Sequence, residues 1–451
     1  MLLKKGIGDM DKYDVIVVGG SVSGSPTAML LARRGFKVLL VDKQIFPRDT
    51  NSTHFIWPRG VSYLKRWGLV EKFRGKVPQC REMEINIEGI SLVGSVPVAD
   101  LEKRFQSLHG DAENVAGFYM GPRRYFLDAI LIEAAQEAGA HVRQGFVFES
   151  VISENDVVKG ISGRNADGSE FKAYASLVIG ADGRFSSFAD QVGASQIDYR
   201  PLSTFAYYGY FSGISQSRLA IHKRGRLGTA IFPTMNDTQM ALVYGPTAWW
   251  DTFRKNAEKN FHFTFDYCAP EIAEKISAGR REEAFKACGA MPAFKRDSVG
   301  KGWLLIGDAG SFKDQVSAMG ITHAFRDAEL VTRYIERAFS QGANTGAVLA
   351  EYVETRASDY DSYFDLVCQV AEMNPYSKAD VEHYYSIRND QGAVNSMISQ
   401  FGDTLPLSQA SPAGIVTSGG DFPSAIREYD IERRHYNVDP YVRANEGVSI
   451  A

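Results

Sequence analysis

Cysteine is scarce: Cys80, Cys268, Cys288 and Cys368 stand far apart in 451 residues and never as C-x-x-C. That spacing excludes a disulfide scaffold and a dithiol redox centre and offers no thiolate cluster, so reduced, buried thiols and no metal are expected. Long apolar runs are also missing. None reaches the roughly 18 residues of a membrane span. The opening MLLKKGIGDMDKYD has no apolar core of signal-peptide length ahead of its acids, so a cytoplasmic protein without a membrane span is expected. Neither charge sign is in excess: 50 Lys plus Arg face 54 Asp plus Glu, a net charge of −4. That balance argues against nucleic acid or anionic membrane as partner and for a small molecule. No internal repeat or low-complexity segment is present. What remains, 44% hydrophobic and 23% charged, is an ordinary globular composition, long enough for two or three domains.

The most ordered stretch runs from Tyr13 to Asp42, YDVIVVGGSVSGSPTAMLLARRGFKVLLVD. Val15 to Val18 form an apolar run too short for a buried helix and read as an interior parallel strand. Ala28 to Ala32 follow at helical spacing, Gly35 stops the helix, and Lys37 to Val41 make a second strand. The turn of this βαβ unit, Gly19-Gly20-Ser21-Val22-Ser23-Gly24, is G-x-G-x-x-G with Ser21 for the middle glycine. A helix N-terminus presents free N–H groups and partial positive charge, so such a turn holds a pyrophosphate. Asp42, 18 residues after the last glycine and followed by Lys43, stands where an acid accepts from a ribose hydroxyl. Serine is small, and its hydroxyl can donate to phosphate.

Further along, KQIFPRDTNSTHFIWPRG reads as an irregular loop carrying Arg48, His54 and Arg59, with His54 either structural or a substrate contact. A short helix is expected at Val61 to Val70. From Glu82 the alternation of Met83, Ile85 and Ile87 marks a half-exposed antiparallel strand, and Leu92 to Gly117 reads as a loop or flap. Leu127, Ile130, Leu131 and Ala134 define a helix with Arg123 and Arg124 at its start, where cations oppose the macrodipole and suggest a ligand. Val147 to Tyr174 reads as a hairpin turning at Asn165 to Gly168, and Leu177 to Ile179 as a buried strand ending at Gly180-Ala181-Asp182-Gly183. Residues 201 to 245 form a meander in which Tyr207, Tyr208, Tyr210, Phe211 and Phe232 wall either a pocket or plain core. Residues 249 to 287 look like a solvated helical cover. Trp303 to Ile306 is a third short strand, ending at Gly307-Asp308-Ala309-Gly310. A long helix begins at Met319-Gly320-Ile321; Asp308 is placed to bond a sugar-alcohol hydroxyl, while Gly320 and Ile321 offer backbone N–H. Gly346 to Met373 continues in helix, and the remainder, through Leu405-Pro406 and Gly419-Gly420 to a charged end at Ile426 to Arg434, is helical or irregular.

Three such turns in this order, GGSVSG, GADGRFSS and GDAG, with Arg124 in RYFLD, resemble the FAD-dependent monooxygenases of the para-hydroxybenzoate hydroxylase type over about residues 13 to 405. The resemblance implies an α/β fold: a Rossmann-like, GR2-type FAD-binding domain, an interleaved, mainly antiparallel β-sheet substrate domain and a C-terminal helical region. The division expected is 1–80, 118–200 and 296–370 for FAD, 81–117 and 201–295 for substrate, and 371–451 for the extension. It implies FAD held by Gly19, Gly20, Ser21, Gly24, Asp42, Lys43, Arg124, Asp182, Gly183, Asp308, Gly320 and Ile321. NAD(P)H is the implied transient co-substrate and O2 the oxidant; a C4a-hydroperoxide would hydroxylate or epoxidise a small aromatic or hydrophobic metabolite. The expected assembly is a monomer or homodimer. Substrate-pocket candidates are His54, Tyr208, Tyr210, Phe232 and Gln315, and no nucleophile or metal is expected. One departure stands out: after GDAGSFKD relatives usually have a proline, and this chain has Gln315. Flavin halogenases share GGSVSG, but their W-x-W-x-I-P signature is replaced by TAIFPT. Reduction of prenyl-type double bonds and a flavin-bound non-redox scaffold or cyclase remain as alternatives.

Overall fold

The structure, a computed structural model, describes residues 12–340, 345–404, 429 and 435–446. The expected features at Leu405-Pro406, Gly419-Gly420 and Ile426 to Arg434 lie outside these, as does the start of the 1–80 segment, apart from single residues.

Strand β1, Lys12–Val18, lies inside a sheet with β2, Val38–Asp42, on one side and Glu170–Gly180 on the other. Trp303–Leu305 and His141–Gln144 extend it, and all these pairings are parallel, with Val15 opposite both Val38 and Leu177. Its apolar run is continuous because both faces are covered. Val15, Val17 and Leu40 pack under helix α1, Gly24–Arg33, and under Arg124–Glu137 and Gly320–Ser340. Ile16, Val18 and Leu39 pack with Phe146, Ile161 and Phe188 on the other side. Each such fully buried aliphatic side chain is worth about 1.5–3 kcal/mol.

The second sheet runs in the order Arg280–Arg281, Thr204–Ser212, Gln239–Pro246, Leu227–Pro233, Leu219–Arg224, Met83–Ile87, Ile90–Gly94. It is antiparallel except between Leu219–Arg224 and Met83–Ile87, which run parallel. One face carries Ile85, Leu219, Phe232 and Leu242. The other, with Phe205, Ile231 and Val243, is covered by helices Ala257–Cys268 and Pro270–Ala278. These helices are solvated only on the outside, since Phe261, Phe265, Ile272 and Ile276 are buried beneath them.

Three expectations are corrected. Leu92 to Gly117 holds a helix, Val98–His109, in which Leu101 and Phe105 are buried one turn apart and Gly110, at φ 77°, ends it. Val147 to Tyr174 is three strands rather than one hairpin, because Asn155 and Asp156, both at positive φ, make an additional turn. Leu219–Arg224 is a strand between two recognised ones. Among the described residues no helix is long and apolar enough to cross a membrane, and no three His, Cys, Asp or Glu side chains gather as metal ligands. The four cysteines are unpaired, three of them buried.

Candidate active site

The turn after β1 closes with no room for side chains. Gly19 sits at φ +108°, where a Cβ would lie 2.4 Å from the Ala181 carbonyl oxygen, and a Cβ on Gly24 would lie 1.8 Å from the carbonyl oxygen of Gly19. Gly20 N–H donates to Asp42 Oδ2 at 2.6 Å and Gln44 N–H to Oδ1 at 2.7 Å, so the carboxylate at the tip of β2 is pinned. Burial pushes the Asp42 pKa up against those two bonds. Ser21 Oγ accepts from Arg124 Nη2 at 2.5 Å, and Arg124 is held by Asp128 at 3.0 and 3.1 Å. Ser23 Oγ is buried beside Gly307 with no partner among the described residues. A cradle closed to Cβ atoms with an orphaned hydroxyl is what a bound phosphate group requires.

The other two turns face this one. Asp182 accepts from Ser186 Oγ at 2.5 Å and from Phe188 N–H at 3.1 Å, Ser186 caps the helix Ser187–Gln191 by accepting from Ala189 N–H at 2.8 Å, and Gly183 lies at φ +85°. Gly307, at φ +57°, donates to Asp327 and presents Asp308, whose pKa burial raises. The long helix opens at Gly320 and Ile321 with its first N–H groups free of intrahelical partners.

Together they enclose a cleft of about 730 Å³ lined by Gly19, Ser21, Asp42, Lys43, Arg124, Asp182, Gly183, Asp308, Gly320 and Ile321, together with His54, Tyr208 and Gln315. Gly20 and Gly24 are not among its lining residues. Tyr210 and Phe232 do not line it. Phe232 belongs to a second cavity, whereas Tyr210 lines neither: its ring lies 3.8 Å under the Arg123 guanidinium, and its hydroxyl holds His54 Nε2 at 3.0 Å. Arg123 is in turn tied to Asp49 and Glu283. His54, at φ 41°, leaves Nδ1 without a partner among the described residues; burial and then Arg123 push its pKa down to about 3, so the ring is neutral.

The second cavity, about 120 Å³, lies between the face carrying Ile85, Leu219, Phe232 and Leu242 and the end of the helix Thr345–Ala371. Thr53, Phe55, Gln315 and Ala318 line both cavities. One side of that common wall is built on a tight turn, Gln315–Ser317, fixed by Asp314, which accepts from Thr204 N–H and Oγ at 2.7 Å each and from Val316 N–H at 2.8 Å. Burial pushes Asp314 up to about 6 despite these bonds. Trp57 Nε1 donates to the Ser317 carbonyl at 3.1 Å, and Ala318 sits at φ 51°. Asp314, Thr53 and Phe55 escape sequence reasoning; the period-two Leu219, Ile221 and Lys223 is a signal that could have found the sheet side of the cavity.

Residues 12–362 match the family model described as FAD binding domain. The chain is 24% identical over 347 residues to conditioned medium factor receptor 1 of Dictyostelium discoideum, covering 74% of this chain and 65% of that one. It is 27% identical over 357 residues to a digeranylgeranylglycerophospholipid reductase of Methanocella arvoryzae (76% and 82%), and 25% over 330 residues to a 6-methylpretetramide 4-monooxygenase of Streptomyces rimosus (70% and 73%). Among solved structures, a flavin-dependent brominase superposes with a TM-score of 0.72 at 18% identity, covering 93% of this chain and 100% of that one. A p-nitrophenol 4-monooxygenase of Pseudomonas putida gives 0.71 at 15%, covering 88% and 99%. At those identities the likeness is one of fold.

Proposed function

The chain belongs to the FAD-binding domain family and is a flavoprotein oxidoreductase, and from that premise we propose that it hydroxylates or epoxidises a single-ring aromatic or similarly small hydrophobic metabolite, using O2 and transient NAD(P)H. The observation that carries this reading is the common wall. A cleft with phosphate- and ribose-type contacts meets an apolar cavity of about 120 Å³, close to the roughly 150 Å³ that accepts a benzene ring.

FAD, when bound, supplies hydride uptake and O2 activation. The N–H groups from Ser21 to Gly24, with Ser23 Oγ, would hold its diphosphate, Asp42 a ribose and Asp308 the ribityl chain. Gly320 and Ile321 N–H would be available to the electronegative edge of the ring. Arg124 holds Ser21 in place. On the substrate side, Phe55, Phe232 and Leu242 keep water out, so polar interactions at the wall act at low dielectric. His54 stays uncharged through the working pH range and offers a hydrogen bond rather than a charge. Gln315 brings an amide to the boundary, able to donate to or accept from a ring substituent. The reductase relative favours a prenyl chain, but a chain of that length needs several times the volume of this cavity.

Ala230→Phe tests the reading by filling the cavity from the sheet side. The variant is expected to retain its yellow flavin and to lose at least tenfold in ring-dependent NADPH oxidation; unchanged turnover would place the substrate elsewhere.

A further inference from the structure

Lys313 lines the cleft in the stretch between Asp308 and Gln315, yet the residue is only 7% exposed. Its Nζ donates to the Tyr360 hydroxyl at 3.0 Å and lies 4.5 Å from the centre of that ring. An ammonium has three N–H donors, and Tyr360 takes one. No carboxylate among the described residues makes an ion pair with Lys313, and the adjacent Asp314 turns its two oxygens to Thr204 and Val316.

The surroundings offer no spare counter-charge. Arg59, Arg104, Arg326 and Arg356 share Asp327, Asp359 and Asp403, four cations on three carboxylates. Arg326 and Arg356 stand 4.9 and 5.9 Å from the centre of the same Tyr360 ring, and Asp327 reaches the cleft by accepting from Gly307 N–H at 3.0 Å. Positive charge is thus in excess beside the cleft, and Lys313 is the cation of this group that lines it. Asp308, on the same lining, responds to it: burial raises its pKa, and Lys313 is foremost among the charges opposing that rise. A buried cation without a carboxylate is costly unless an anion joins it.

We propose that Lys313 is the counter-charge to the reduced flavin, holding the ring as a monoanion after hydride transfer. The hydride brings two electrons and one hydrogen to the ring and leaves oxidised nicotinamide, so the ring gains one negative charge unless a further proton follows. An ammonium beside it at low dielectric favours that charge. The inference concerns the cofactor and stands for any substrate.

Sulfite is the probe, because its addition to oxidised flavin places a negative charge on the ring and bleaches the yellow absorbance. Titrated into the FAD-loaded full chain at pH 7, it is expected to bind Lys313→Met at least tenfold more weakly than wild type. The flavin midpoint potential should fall in parallel by at least about 30 mV, the equivalent of tenfold for a two-electron couple. Lys313→Arg should keep most of both, and Tyr360→Phe, which removes the hydroxyl and leaves the ammonium, should weaken neither. If Lys313→Met does not retain FAD, Lys313→Gln, which keeps a donor for Tyr360, carries the same expectation. Unchanged sulfite affinity and potential in the neutral variant, or no adduct in the wild type, overturns the proposal and leaves Lys313 as a strut on Tyr360. An equal loss in Tyr360→Phe overturns it too, since the effect then follows packing rather than charge.

Discussion

Gly24 has no room for a side chain, because a Cβ there would meet the Gly19 carbonyl oxygen, a backbone atom that cannot step aside. Gly24→Ala is therefore expected to cost on the order of 3 kcal/mol in denaturant unfolding and to give protein that purifies colourless. Arg124→Lys keeps the charge but loses the fork that grips Asp128 twice while reaching Ser21. Its retention of FAD should fall about tenfold, read by flavin fluorescence released on dilution. At this scale the sequence was most legible where a backbone must come close to something: Gly19, Gly24 and Asp42 are marked by residue type alone. Tyr210 was not legible. Its aromatic character is the same on either face of a strand, and only pairing with Gln239–Pro246 and the position of Arg123 decide that it supports His54 instead of lining a cavity.

The wall between the cavities is an element-scale device, a short turn held by one buried carboxylate. Asp314 has a folded pKa of about 6, above the usual carboxylate range. The fold thus favours its protonated form, and its stabilising contribution is full below about pH 4 and lost as pH rises through 6. Wild type minus Asp314→Asn, compared by urea unfolding, should be largest near pH 4 and shrink through pH 6; a difference that grows with pH contradicts the assignment. The elements that escaped sequence reasoning share a cause. Val98–His109 shows its two core residues, Leu101 and Phe105, against an otherwise polar surface, and Leu219–Arg224 mixes apolar and basic residues. In both, the local signal is weak, two core residues in a polar helix and a period of two over one short strand, and packing partners distant in sequence decide the structure.

Across the whole molecule a buried ion network joins segments far apart in the chain. Arg59 pairs with Asp403 and, at 3.1 Å, with Asp359, which also meets Arg326 at 3.0 Å and Arg104 at 2.6 Å. Burial opposes ionisation of Asp359, but Arg59, Arg326 and Arg104 hold its pKa well below the usual range. Arg59→Met leaves these carboxylates short of a partner and should cost about 3–5 kcal/mol in unfolding free energy. The order of the three glycine-rich turns, two of them carrying an aspartate, made the cofactor half of this architecture readable. The meeting of the two cavities was not, because it depends on how two sheets and the Gln315–Ser317 turn close on one another. Product mass after NADPH turnover of a single-ring substrate under ¹⁸O₂ tests that account most directly. A gain of one labelled oxygen atom is the predicted result, and a gain of two hydrogens or an unchanged formula contradicts it.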